Sequence, residues 1–144
     1  MRDVTKSIYR FLQADSNLND LLGSYSGSTA IFTSTPVPES TGVPFVVVSG
    51  SVSDVDNGTK NSQMRTVRTN VTVFSNEDGN VDKIEEIGEH LRDILGNKIN
   101  TEAKLNIRHW HAAVVGTFGP IVNDVEDLYG RMVTVELLLH QKAN

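Results

Sequence analysis

The chain has 144 residues, with 18 acidic and 13 basic side chains, a net charge of −5 and no cysteine. Disulfides and thiol chemistry are therefore excluded, and no apolar run reaches the roughly 20 residues of a membrane-spanning helix. The acidic balance argues against a free nucleic-acid binder, and the length predicts one domain, residues 1–144, able to bury a core without staples.

The start, MRDVTKSIYRF, is not a signal peptide, so cytoplasmic synthesis is expected. Val4, Ile8, Phe11 and Leu12 recur at helical spacing, with Asp3 or Thr5 placed to cap that helix. Ser16 is placed to cap a second short turn, Asn17 to Leu22, which Gly23 ends. Ser24 to Thr29 reads as a polar loop and Ala30 to Thr33 as a short strand, stopped by Pro36 and Pro38. Phe45 to Ser49 is apolar without alternation, which predicts a strand buried on both faces. Gly50 to Gln63 is polar and reads as a long hairpin tip or mobile loop, a segment suited to ordering on a partner. Within and beside it, Asp54, Asp56, Lys60, Gln63 and Arg65 are the candidate interaction residues.

Met64 to Gly96 is the best-defined unit. Val67, Thr69, Val71 and Val73 alternate with Arg68, Asn70 and Thr72, the pattern of a half-buried strand that Arg65 and Ser75 extend. The period then changes: Val81, Ile84, Ile87, Gly88, Leu91, Ile94 and Leu95 form one stripe of a helix. Asp78, Gly79 and Asn80 supply the turn, and Gly96 the expected C-cap. Between Asn76 and Leu95 seven carboxylates face two basic residues, so this segment carries the entire net charge of −5. Most simply it is a solvated helix face; alternatively it faces a basic partner or something that must not stick. Leu105 to Val115 then predicts a strand, Gly116 to Asp127 a loop, and Leu128 to His140 a long final strand with Tyr129, Arg131, Val133, Val135, Leu137 and Leu139 on one face. The expected fold is α+β: an antiparallel sheet of four or more strands with two helices packed on one face.

Catalytic and cofactor chemistry finds little support. His109 and His111 share a strand face, but zinc takes three or four ligands and no local motif supplies a third. Asp54-Val55-Asp56-Asn57-Gly58 misses the calcium-loop register, with Arg65 where the bidentate Glu belongs. Phosphate-cradling glycine motifs and nucleophile elbows are absent from the sequence. Trp110 and Phe118 read as core. No enzyme activity, metal or cofactor is expected.

The order of elements carries a resemblance. An amphipathic N-terminal helix ends in LNDLLG; AIFTSTPVPESTGVPFVVVSG gives a strand, a proline-bearing connection and a second strand; RTVRTNVTVFSNEDG then feeds the helix VDKIEEIGEHLRDILG. From Asp3 to Gly96 this order resembles the tail completion proteins of long-tailed phages, also called tail terminator or tail-to-head joining proteins. The resemblance implies a non-enzymatic virion component at the head-proximal end of the tail. It implies a homo-oligomeric ring, generally a hexamer, that stops polymerisation of the tail tube protein and joins the head connector or head-completion protein. DNA would pass through the lumen without specific binding, and carboxylates facing that lumen would repel its phosphates. Two other functions fit the residues: a neighbouring neck or head-completion adaptor, and a small α+β metal- or ligand-binding module using the His109/His111 face.

Overall fold

The computed structural model describes residues 2–33, 42–49, 52–59, 62–76, 81–98, 109–123 and 128–142. Helices α1 (Arg2–Gln13) and α2 (Ser16–Leu21) open the chain. A two-stranded hairpin follows, β1 (Ser24–Tyr25) with β2 (Ser28–Thr29). Its two central residues, Ser26 and Gly27, have φ of 51° and 81°, the positive values that a two-residue hairpin turn needs. The stretch read as a loop is thus a tight hairpin.

Strands β3 (Ile31–Phe32), β4 (Phe45–Val48), β5 (Val52–Thr59), β6 (Ser62–Asn76), β7 (His109–Asn123) and β8 (Leu128–Lys142) form one sheet. Its order is β3-β4-β6-β8-β7, and β5 pairs with β6 beyond the end of β4. Helix α3 (Val81–Asp93) runs on as a π-helical turn, Ile94–Lys98. The fold is therefore α+β, as expected, but the sheet is not wholly antiparallel. Ile31 and Phe32 pair with Val46 and Val47 in parallel. The twelve residues between Phe32 and Phe45 explain this, since a parallel pair needs a crossover of about a dozen residues. Among the described residues no helix is long and apolar enough to cross a membrane.

The core lies on one face of the sheet. Val4, Ile8, Phe11 and Leu12 of α1, Leu18 of α2, and Ile84, Ile87, Leu91, Ile94 and Leu95 of α3 and its π turn meet Val46, Val48, Val67, Val71, Val73, Val133, Val135 and Leu137. Helical period and strand alternation thus converge on a shared layer. Removing one of these side chains, as in Ile87→Ala, costs about 2–5 kcal/mol. The opposite face carries a smaller apolar group, Ala30, Phe45 and Val47 with Phe32 and Phe74. So β4 is buried on both sides, as its unbroken FVVV predicts.

Several local expectations change. Asp15, not Ser16, caps α2, accepting a hydrogen bond from the Leu18 N–H at 2.9 Å. Helix α1 begins at Arg2, so neither Asp3 nor Thr5 is its cap. Gly96 lies inside the π turn and does not end the helix. Asp78, Gly79 and Asn80, and the start of the expected strand at Leu105, lie outside the described residues.

Two predicted loops are strands. Val52–Thr59, inside the Gly50–Gln63 stretch, pairs antiparallel with β6, and Ser62 and Gln63 begin β6 itself. Polar residues are poor strand formers, but a partner strand on one side supplies the ladder hydrogen bonds whatever the side chains. Gly116 to Asn123, inside the Gly116–Asp127 stretch, continues β7. The register of β7 against β8 shifts three times, between His109 and His111, Val114 and Gly116, and Phe118 and Ile121. Gly116, Gly119 and Pro120 lie at or inside these shifts, and bulges on an edge strand are where glycine and proline are tolerated.

Candidate functional site

The longest feature is the β6–β8 ladder. Fifteen residues of each strand pair without a register shift, from Ser62 opposite Lys142 to Asn76 opposite Leu128. At a rise of about 3.4 Å per residue it spans roughly 50 Å. Among the described side chains, the core residues of these strands run from Val67 and Leu137 to Val73 and Val133. Toward its Ser62 end the backbone ladder pairs Ser62–Thr66 with Leu138–Lys142, flanked by β5 and the start of β7. This distal arm holds the candidate interaction residues.

Asp54 and Asp56 lie on β5, opposite Thr66 and Met64, and Arg65 lies opposite Val55. Gln63 pairs with Gln141 of β8. Lys60 lies outside the described residues. The structure thus brings Asp54, Asp56, Gln63 and Arg65 together on one hairpin rather than on a loop. His111 and His109, two and three rows from Ala113, sit on the outer strand β7 of the same arm, and the register shift between them sets them in adjacent rows rather than at the regular strand spacing the sequence predicts. Among the described residues no group of three His, Asp or Glu side chains is placed to hold a metal ion.

On the face opposite the described helices the strands are cross-linked by polar pairs. Arg68 Nε donates to Glu136 Oε2 at 2.9 Å, and Thr134 Oγ1 donates to Asn70 Oδ1 at 2.8 Å. Both are directly opposed pairs of the ladder, the positions where opposite charges and hydroxyls stabilise a sheet. Farther along, the rings of Tyr25, Phe32, Phe45 and Phe74 form a row with successive centroids 5.9, 6.3 and 5.6 Å apart.

The acidic helix presents two environments. Asp82, Glu86, Glu89 and Asp93 are exposed, on the side of α3 away from Ile84, Ile87 and Leu91. Glu85 is half-buried and accepts from Arg131 Nε at 2.7 Å, with the other guanidinium nitrogen against the same oxygen. One helix carboxylate is therefore structural, holding α3 to β8. Near it, Asn17, Asp20, Leu21, Glu86 and His90 line an open cleft of about 380 Å³ between α2 and α3. At the side of the cleft His90 Nε2 lies 3.0 Å from Asp15 Oδ1, both side chains being largely buried. None of these long-range pairs has a local sequence signal; the spacing within α3 marks Glu85 and His90 only as residues beside its apolar stripe.

No protein-family model matches the chain, and no curated protein matches its sequence.

Proposed function

We propose that this chain is a structural protein of a long-tailed phage. It caps the end of the tail tube, stops tube polymerisation and offers the surface that joins the head. It works as a ring of identical copies, six by the resemblance, around DNA that passes through unbound. The observation that supports this reading is the distal arm. There the β6–β8 ladder runs between two outer strands, β5 and β7, and strand edges of this kind offer backbone for contacts with other chains. The exposed carboxylates of α3 suit a surface that repels DNA phosphates or attracts a basic neighbour.

The test is electron microscopy of tails assembled with and without this chain. Overlong tails, or tails that never join heads, support the reading. Tails of normal length beside heads that leak DNA assign the chain to a neck adaptor instead. Normal virions overturn both.

A further inference from the structure

In the distal arm the strands run in the order β5-β6-β8-β7, each antiparallel to the next. Among the described residues β5 pairs only with β6 in this sheet, and β7 only with β8, so each presents an outer edge. Three consecutive rows cross all four strands without irregularity: Val52–Arg68–Glu136–Ala113, Ser53–Val67–Leu137–Ala112 and Asp54–Thr66–Leu138–His111. The next row is Val55–Arg65–Leu139–His109. Asp54 and Val55 thus belong to one edge, and His111 and His109 to the other, in the same two rows; Asp56 lies one row farther along, opposite Met64, in a row where β7 has no paired residue among those described.

Direction adds a second constraint. Four alternating strands leave the two edges running in opposite senses. A second copy set beside the first in the same orientation therefore brings its β7 antiparallel to the first copy's β5. Antiparallel addition is the more stable mode per residue. Two β5 edges meeting each other would instead oppose carboxylate residues, which disfavours that pairing.

From this agreement of direction and row we infer that copies of this chain join edge to edge, β5 of one against β7 of the next, with Asp54 in the row of His111 and Val55 in the row of His109. The partner is a second copy, because one chain carries both halves of the contact. Such a head-to-tail contact, repeated by a rotation that divides a full turn, closes into a ring. The inference rests on the assembly reading above and gives it a specific interface. The half of β7 beyond Val114, with two of its three register shifts and Pro120, takes no part, since proline cannot donate to a new ladder.

Disulfide trapping tests the pairing. The native chain has no cysteine, so background bonding is absent. Within one chain Asp54 and His111 lie three strand spacings apart, about 14 Å, while a disulfide needs Cα atoms within roughly 7 Å. Any bond in the full-length Asp54→Cys/His111→Cys variant must therefore join two copies. The expected result, after mild oxidation, is a ladder of covalent multimers ending at one largest species, with no product from either single variant. A second pair on the next row, Val55→Cys/His109→Cys, gives the same ladder and covers failure of the first to fold. Dimers from Asp54→Cys alone would overturn the inference in favour of a two-fold contact. So would the absence of cross-links from both pairs, whether light scattering finds the native chain multimeric or monomeric. A ladder from a chain whose loss leaves tails normal keeps this interface and removes the tail-capping function.

Discussion

Phe74 occupies the space that a side chain at Gly130 would need. The two are opposed across the β6–β8 ladder, and a Cβ on Gly130 would stand 2.8 Å from both the Phe74 ring Cδ1 and the Val73 carbonyl oxygen. The ring can shift; the carbonyl belongs to the central strand and cannot shift without opening the ladder. Gly130→Ala is therefore expected to destabilise the fold by about 1–3 kcal/mol, the usual cost of overpacking. Chemical denaturation of the two proteins measures it. Equal stability would mean that the ladder yields at this point.

Gly88 gives the opposite expectation. It lies on the buried side of α3, and among the described residues a Cβ there meets the Arg131 Cβ, at 3.7 Å, an ordinary contact. Glycine inside a helix is less favourable than alanine by roughly 0.5–1 kcal/mol. Gly88→Ala should raise stability by about that amount and leave the Glu85–Arg131 pair in place. A lower melting temperature than the native chain's would show that the helix must sit closer to the sheet than this spacing allows.

The partners of Asp15 include the Leu18 N–H that starts α2 and the imidazole of His90 on α3. Asp15→Ala removes both and should cost about 1–2 kcal/mol for the cap alone, with a further loss from the half-buried histidine left behind. Asp15→Asn keeps a capping oxygen and should cost less. A double-mutant cycle with His90→Ala isolates the second contribution. A coupling energy indistinguishable from zero would reduce the contact to a neighbourly one.

These pairs mark where sequence reading stops. The stripe Val4-Ile8-Phe11-Leu12, the alternation from Val67 to Val73 and the stripe from Ile84 to Leu95 are periodic, and period alone places each on the core. Glycine and proline are ambiguous by comparison. At Gly116, Gly119 and Pro120 they read as a loop, whereas the chain spends them on bulges of a continuing edge strand. Val52–Thr59 escaped notice because its side chains are those of a loop, while its pairing comes from β6. Asp15 with His90 and Arg68 with Glu136 are 75 and 68 residues apart in sequence. Only the register of the sheet and the packing of α3 bring them together. Of the candidate interaction residues, chemistry singled out Asp54 and Asp56, but the row that joins Asp54 to His111 across the sheet follows from strand order alone.

The acidic helix makes the last prediction. Asp82, Glu86 and Glu89 are exposed, so Asp82→Asn, Glu86→Gln and Glu89→Gln together should change folding stability by only tenths of a kcal/mol each. Net charge moves from −5 by three, to −2. If α3 faces the DNA channel, removing these charges removes a repulsion that keeps the phosphate backbone from sticking. Virions carrying the triple variant should then assemble normally and eject DNA more slowly. The difference should widen at low ionic strength, where screening over about 10 Å no longer hides the missing charges. Glu85 is left out because it holds Arg131, and its loss would confuse a channel effect with a loosened helix. Ejection at the native rate in low salt would place α3 away from the channel. Failed assembly would instead make its carboxylates part of a contact with a basic neighbour.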